Sequence, residues 1–356
     1  MRTTAIALAL CVLPALVRAQ SIPPTGVAMY GRVDVSVNSI HYGGVSSGGA
    51  RTGTYVSSDG SSLGFRGAED LGDNARAYFK LEHWFNADTG TQFSPGQFWS
   101  REAYLGIGQA SLGYVQLGSQ YGPGMWVSLK ADPFYRASQG AILTLFQATP
   151  GNVRGFASTL NNAVQYATPT FAGFTARLMV TAPEGATPGR STHLHLDYTA
   201  DRLFAGLSVD RTKLNGAAAA QPAAATVDQT VVTVGASYRF DGVKLHGYAM
   251  QSDVEGLPKL HGYMLGATVP LGLGEIRASW SRRRTAAETD ADASLAAAGY
   301  FYFLSKRTTI YALVSRLNNE GTARFGLWPS SVDAGSAWPR AGEHLTGTQI
   351  GVRHAF

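Results

Sequence analysis

The residues in this chain best suited to chemistry are cations on the polar face of short segments in which polar and apolar residues alternate. Arg32 lies between apolar neighbours, and Arg76 and Lys80 share one face of the segment at 74–86. Such side chains bring no nucleophile or general base. In a narrow water-filled space with low-dielectric walls, a ring of arginine and lysine attracts anions. The predicted chemistry is therefore electrostatic selection rather than bond breaking.

Alternation predicts that four cations of the first three segments face a common interior: Arg32, Arg66, Arg76 and Lys80. A simpler reading stays open, in which these cations only pair with nearby acids to satisfy a polar interior: Asp34, Glu82 and Glu102. Arg101 is ambiguous. Counting from Ala103 and Leu105 as outward-facing residues sends it outward, but the family resemblance given below sends it inward, which is the placement we favour.

The sequence gives little support for metal binding, catalysis or nucleic-acid binding. His193 and His195 share a strand face, but a metal site needs a third ligand that the sequence does not identify. The chain has no phosphate-binding loop, no metalloprotease or nucleophile-elbow motif, and no Ser/His/Asp constellation at strand ends. We predict no catalysis, no metal and no cofactor. The sequence pI is about 9.3, but without a clustered basic face we expect no nucleic-acid partner.

The elements that must position the cations are strands with strict two-residue alternation. In the first, Val33, Val35 and Val37 share one face and Arg32 and Asp34 the other. Sixteen candidate strands lie near 27–37, 55–67, 74–86, 99–110, 112–120, 162–169, 173–182, 191–200, 202–212, 228–240, 242–253, 259–270, 274–285, 294–305, 307–317 and 345–356.

The connections between these strands alternate strictly between short turns and long loops. Outer-membrane barrels have an even number of antiparallel strands, with short turns on one side and long loops on the other. A soluble sandwich gives no reason for this alternation. We therefore predict an all-β fold, a 16-stranded antiparallel transmembrane β-barrel.

One long connection, at 121–161, runs about forty residues without an alternating segment. Loops of that length are uncommon in compact domains unless they are functional. We predict that this third long loop folds into the lumen and narrows it. Its charged residues are Lys130, Arg136 and Arg154 against the single acid Asp132, which favours anions.

The N-terminal residues 1–19 have the features of a signal peptide. Arg2 precedes an apolar core from Ala5 to Leu16, and small residues precede a predicted cleavage site before Gln20. The apolar run is too short to span a membrane as a helix. Its removal takes away Cys11, the one cysteine, and lowers the formal charge from +5 to +3 because two arginines leave. Residues 20–356 are predicted to form a single barrel domain.

Aromatic residues near strand ends predict interfacial girdles at the membrane surfaces: Trp84, Phe85, Trp280, Tyr300, Phe301, Tyr302 and Phe303. A lumenal aromatic slide for sugars is the alternative. The run from Arg282 to Arg284 could contact anionic lipopolysaccharide, or could be a solvated loop margin.

Several stretches resemble the general porins of Gram-negative bacteria, in the β-proteobacterial and neisserial branch. They follow one another in the family's order over nearly all of the chain after residue 19: Met29–Asp34, Ser62–Gly72, Ala77–Glu82, Arg101–Gly106, Val115–Tyr121, Asn161–Tyr166, Pro169–Phe174 and Gly351–Phe356. Each motif is weak alone, but their order is specific.

This resemblance implies a homotrimer in the outer membrane, with a third loop facing a basic wall. It also implies that the terminal Phe356 is read by the barrel-insertion machinery. Two positions depart from the family, because Thr159 and Ser62 stand where relatives often have arginine. Both departures remove wall charge.

We therefore expect passive diffusion of small hydrophilic solutes and inorganic ions, with anions preferred. The alternatives are a solute-specific channel, an outer-membrane barrel enzyme and a secreted carbohydrate-binding β-sandwich.

Overall fold

The computed structural model describes residues 25–43, 49–147, 155–184, 190–215, 226–285, 291–328 and 338–356. The predicted signal peptide at 1–19 and Arg154 lie outside these ranges. Within them, no helix has the length and apolar character that crossing a membrane requires.

Strands form almost all of the regular structure. They are β1 Gly26–Gly43, β2 Arg51–Ser58, β3 Ser62–Gly72, β4 Ala75–Asn86, β5 Thr91–Gln92, β6 Glu102–Gln109, β7 Gly113–Tyr121, β8 Thr159–Ala167, β9 Phe174–Thr181, β10 Ser191–Thr199, β11 Leu203–Asn215, β12 Thr226–Phe240, β13 Val243–Val254, β14 Leu260–Leu271, β15 Gly274–Thr285, β16 Ala293–Phe303, β17 Thr308–Asn319 and β18 His344–Ala355. Two helices lie between β7 and β8: α1 Pro123–Ala131 and α2 Leu143–Phe146.

The strands close into a barrel. Each pairs antiparallel with its neighbour, and β1 pairs with the last strand, placing Val35 opposite Val352. On its other edge β1 pairs with β2 and then β3, which are two halves of one barrel strand interrupted at 59–61. The two-residue β5 pairs only with β4 within the second long loop. The predicted 16-stranded antiparallel barrel is thus confirmed.

The polarity of the two faces is that of a membrane barrel. In β1, the polar Asp34 and Asn38 are fully buried, whereas 38% of Val33 and 55% of Val37 is exposed. A soluble sandwich would bury the valines instead. An apolar outer face and a polar interior match a strand with lipid on one side and a lumen on the other.

Glycines on the inner face of the wall let helix α1 lie directly on the strands. A Cβ atom at Gly235 of β12 would stand 2.8 Å from both the Ala131 Cβ and a Val127 methyl carbon. On β14, a Cβ at Gly262 would overlap the ring of Phe146 in α2. Because these positions have no side chain, the segment between β7 and β8 packs against the inward face of the barrel.

The same segment reaches the seam where the barrel closes. The backbone N–H of Ser138 donates to Asp59, and that of Gln139 donates to Gln349 Oε1 at 3.0 Å. The Gln139 side chain donates to Asn38 Oδ1 at 3.1 Å. The segment is therefore held to wall strands on both sides of the lumen.

The girdle prediction was wrong for two aromatic residues. Trp84 lies on the inner face with Lys80 and Glu82 and stacks on Phe93, with ring centroids 3.9 Å apart. Phe301 is 1% exposed and packs on Tyr311. Strand-end position alone predicted an interfacial role, but the face of the strand decides which side a ring occupies.

Candidate functional site

Lys80 lies in a group of charges that neutralise one another. Its Nζ is 3.1 Å from Glu82 Oε2 and also bonds Glu102. Arg101 Nε lies 2.5 Å from Glu82 Oε1. Both carboxylates are almost fully buried. Lys80, Arg101, Glu82 and Glu102, which we call the Lys80 cluster, carry two positive and two negative charges and so have no net charge.

The structure places Arg101 inside the barrel. Its Nε donates to the Tyr121 hydroxyl at 2.6 Å, and its guanidinium lies 5.4 Å from the Trp84 ring centroid. The backbone N–H of Arg101 donates to the Glu82 carbonyl at 3.1 Å. Extending the alternation of β6 back to Arg101 would place this side chain on the outer face. That extension fails because Arg101 precedes the strand, and the pleat does not continue into the loop.

Two charged residues of the segment between β7 and β8 are bound by other groups of the protein. Lys130 Nζ bonds Asp197 Oδ2 of β10 at 2.9 Å, tying α1 to the wall. Asp132 is fully buried and accepts the backbone N–H groups of Phe134, Arg136 and Ile142 at 2.9, 3.0 and 3.0 Å. Burial raises the pKa of Asp132 to about 6, even though these donors favour its charged form. Asp132 therefore shapes the loop.

Arg136 differs from these residues because no carboxylate pairs with it among the described residues. Its Nη2 donates to Ser158 Oγ at 3.0 Å and to Gln147, while Nε and Nη1 have no partner in the part of the chain that the structure describes. Burial lowers the pKa of Arg136 to about 10, which leaves it charged at neutral pH.

Arg32 is the second cation of this kind. Its Nη2 and Nε donate to the Gly60 carbonyl at 2.8 and 3.2 Å, and it forms no ion pair with any described residue. Arg32, Arg101 and Arg136 line one cavity of about 90 Å³, together with Asp59 and Thr159. We call it the arginine cavity. Thr159 stands where the family resemblance implies an arginine, and Arg136 reaches the adjacent Ser158 instead.

The remaining predicted site residues are dispersed. Asp34 is fully buried and binds Arg353 Nε at 2.6 Å. Arg66 is exposed and lies 5.1 Å from the Tyr30 ring centroid. Arg76 pairs loosely with Asp70, at 3.9 Å, beside the turn between β3 and β4. Arg154 lies outside the described residues.

The sequence analysis did not identify three residues that lie in the arginine cavity or bind a predicted site residue. Asp59 accepts the indole N–H of Trp328 at 3.1 Å as well as the backbone of Ser138. Arg353 neutralises Asp34. The signal for Arg353 was present, because it shares the polar face of the last strand with Gln349. No local pattern marks Asp59 or Trp328, which lie in the break at 59–61 and in a long loop.

A Ser–His–Asp arrangement also went unpredicted. His193 Nε2 lies 2.7 Å from Ser191 Oγ, and its Nδ1 lies 2.7 Å from Asp210 Oδ1. These three side chains are connected as in a hydrolytic triad. However, Ser191 is 1% exposed and also bonds Thr181, so its hydroxyl is not accessible to a substrate. Within the described ranges, no three His, Cys, Asp or Glu side chains group as metal ligands would.

Comparison with known proteins agrees with this architecture. The family model described as Gram-negative porin matches residues 3–322. Outer membrane porin protein 32 of Delftia acidovorans is 31% identical over 371 residues, covering all of both chains. An outer membrane porin protein of Bordetella pertussis is 28% identical, covering 73% of this chain and 77% of its own.

Solved structures share the fold. The anion-selective porin from Comamonas acidovorans superposes with a TM-score of 0.77 at 29% identity, covering 93% of this chain and 99% of its own. The Vibrio cholerae outer membrane protein OmpT covers 94% of this chain and 100% of its own with a TM-score of 0.63, and its 15% identity shows the fold alone. The 16-stranded barrel, its polar lumen and the match over most of the sequence place the protein in the Gram-negative outer membrane as a channel-forming protein. The chain belongs to the Gram-negative porin family.

Proposed function

We propose that this porin lets small hydrophilic solutes and inorganic ions diffuse passively and that it prefers anions. The observation that carries the preference is the pair Arg32 and Arg136. Both line the arginine cavity, and neither forms an ion pair with a described residue. Cations that form no ion pair in a confined aqueous path attract anions and repel cations. The solved porin from Comamonas acidovorans is itself called anion-selective.

The segment at 121–161 sets the narrow part of the path in this proposal. The packing of α1 on glycines of β11 and β12 supports a fixed position. The bond between Gln139 and Asn38 anchors the segment at the barrel seam. A constriction held at both ends would act as a size filter that does not open and close.

The test is the reversal potential of purified protein in a planar bilayer that separates two KCl concentrations. We expect steady conductance and a potential of the sign that chloride permeation gives. A potential of the opposite sign would retain the porin and contradict the anion preference. Such a potential would mean that buried acids such as Asp34 and Glu82 dominate the electric field in the pore.

Assembly as a homotrimer is a further part of the proposal. One solved relative with the same fold is described as a trimer form, although its identity is only 14%. Conductance that rises in steps of three equal units would support a trimer. Migration as a single barrel on a gel before heating would contradict it.

Phe356 is proposed as the signal for the insertion machinery, acting after removal of residues 1–19. It exchanges backbone hydrogen bonds with Gly31, at 3.0 and 3.1 Å, where the barrel closes. Deleting Phe356 should lower the amount of folded porin in the outer membrane while Phe356→Tyr largely preserves it. Equal amounts for both variants would argue against the signal.

Lipopolysaccharide is the proposed lipid partner at the outer rim of β15. Arg282 is paired with Glu320 and Asp292, and Arg283 points inward and donates to the Leu145 carbonyl at 3.0 Å. Arg284 is exposed and forms no ion pair with a described residue, which leaves it able to meet a phosphate. Retention of radiolabelled lipopolysaccharide by wild type and by Arg284→Gln would test this contact, with weaker retention by the variant expected.

A further inference from the structure

Aromatic rings share the arginine cavity with the guanidinium groups. Trp84 stacks on Phe93, with ring centroids 3.9 Å apart and planes inclined by 7°. Trp328 meets these two rings edge-on, at 5.8 and 5.7 Å. We call Trp84, Phe93 and Trp328 the aromatic cluster. Both tryptophans line the cavity and are only partly buried, so a solute in the lumen can reach their rings.

Arg101 joins the aromatic cluster to the cationic wall. Its guanidinium lies 5.4 Å from the Trp84 centroid and 5.7 Å from that of Tyr121. Glu82 already balances its charge. Arg101 therefore contributes a flat, polarisable surface between two rings, while the positive charge that no ion pair balances comes from Arg32 and Arg136.

The rest of the cavity wall mixes apolar and polar side chains. Met125, Leu129 and Leu143 of the loop supply apolar surface, and Asp59, Gln147, Ser158 and Thr159 supply polar groups. A simple inorganic anion would use the arginines but would gain nothing from the apolar side chains or from the rings. A planar solute with a negative charge at one end would use both kinds of surface, because aromatic rings stack favourably on indole and guanidinium planes.

We propose that the arginine cavity is a weak binding subsite for small aromatic carboxylates, which the channel selects over aliphatic carboxylates. The inference rests on the proposed anion channel and names a substrate class for it. The carboxylate is drawn to Arg32 and Arg136, and the ring lies against the aromatic cluster. The volume of about 90 Å³ is below the roughly 150 Å³ of an engineered cavity that encloses benzene. The ring is therefore held only in part, which suits a transit site.

The test measures block of the single-channel chloride current by three sodium salts added at matched ionic strength: benzoate, cyclohexanecarboxylate and acetate. Cyclohexanecarboxylate has the charge and the ring size of benzoate but no π system. The half-blocking concentration of benzoate should be about fivefold lower, the factor that an aromatic contact of about 1 kcal/mol supplies. Acetate should block least. Equal potency of the two ring compounds would overturn the proposal.

Substitutions of single tryptophans test whether the preference for benzoate arises in the arginine cavity. Trp84→Leu and Trp328→Leu should each bring the benzoate and cyclohexanecarboxylate values together. Trp280→Leu is the matched control, because Trp280 lies on the outward face of β15 and packs on Tyr263. An equal change in the control would overturn the assignment to the cavity. If Trp84→Leu does not assemble, the wild-type comparison still decides.

The same channels give a chloride reversal potential, which separates the two proposals. An anion-favouring potential without a preference for benzoate overturns the aromatic subsite and leaves the anion channel standing. A cation-favouring potential overturns both.

Discussion

Two groups of cations on the inner surface of this porin differ in how they are neutralised. In the Lys80 cluster, Glu82 and Glu102 lie against Lys80 and Arg101, so the positive charges are cancelled within the wall. In the arginine cavity, Arg32 and Arg136 bind a carbonyl, a hydroxyl and an amide. The number of lysines and arginines that face a lumen is therefore a poor guide to its field.

This difference assigns separate tasks to the two regions. Oppositely charged side chains that are buried together hold strands in place, and breaking such a set is costly because it leaves a charge without a partner. Cations that form no ion pair with a described residue are expected to act on solutes in the lumen. We expect changes in the Lys80 cluster to act mainly on stability, and changes in the arginine cavity to act mainly on selectivity.

The largest effect is expected for Lys80→Met. It leaves Glu82 and Glu102 facing each other with Arg101 as their one remaining cationic partner among the described residues, at a cost of about 3–5 kcal/mol. The temperature at which the folded barrel is lost on a heat-modifiability gel should fall clearly. The ion selectivity should change little, because one of the two buried carboxyls takes up a proton. Unchanged heat stability would contradict the expectation that the Lys80 cluster acts mainly on stability.

A smaller effect is expected from adding a side chain where α1 packs against β12. Gly235→Val places methyl groups where Ala131 and Val127 already lie, at a cost of about 1–3 kcal/mol. The displaced helix should lower the single-channel conductance. Gly247→Val is the matched control, because a Cβ at Gly247 of the neighbouring β13 meets no atom within 4 Å. Equal conductance in both variants would mean that the contact of α1 with Gly235 does not fix the position of the loop.

The smallest effect concerns pH. The pKa of Asp132 is raised to about 6 by burial, above an unfolded value of about 3.9. Protonation therefore favours the folded loop, and that contribution is complete below about pH 4 and is lost as the pH rises through 6.

Neutral Asp132 also leaves the charge of the nearby Arg136 less opposed, so anion preference should rise as the pH falls from 7 to 5. The change in permeability ratio should stay below about twofold, because a single charge is strongly screened in a water-filled pore. A ratio that falls over this range would show that other groups dominate the titration.

The barrel was predictable because alternation and turn spacing are local properties of the sequence. The sixteen strands near the predicted positions follow from them, although β1 extends to Gly43, beyond the predicted end at 37. The break between β2 and β3 was not predicted, since Asp59 and Gly60 carry no signal that separates an interrupted strand from a continuous one.

The site was less predictable because pairing joins residues far apart in the chain. Asp34 binds Arg353, and Asp59 binds the backbone of Ser138. Alternation places each side chain on the inner face but does not tell which acid each cation meets. Lys80 and Arg136 were therefore predicted as equal members of one filter, although only Arg136 lacks a carboxylate partner among the described residues.

Whether paired and unpaired cations differ in their effect on selectivity is tested most directly by comparing reversal potentials of wild type, Arg136→Gln and Lys80→Met under the same KCl gradient. Both variants remove one formal positive charge from the inner surface. We expect that Arg136→Gln loses much of the anion preference and that Lys80→Met retains most of it. Equal losses in the two variants would show that the total lumenal charge, rather than the absence of a paired carboxylate, sets the selectivity.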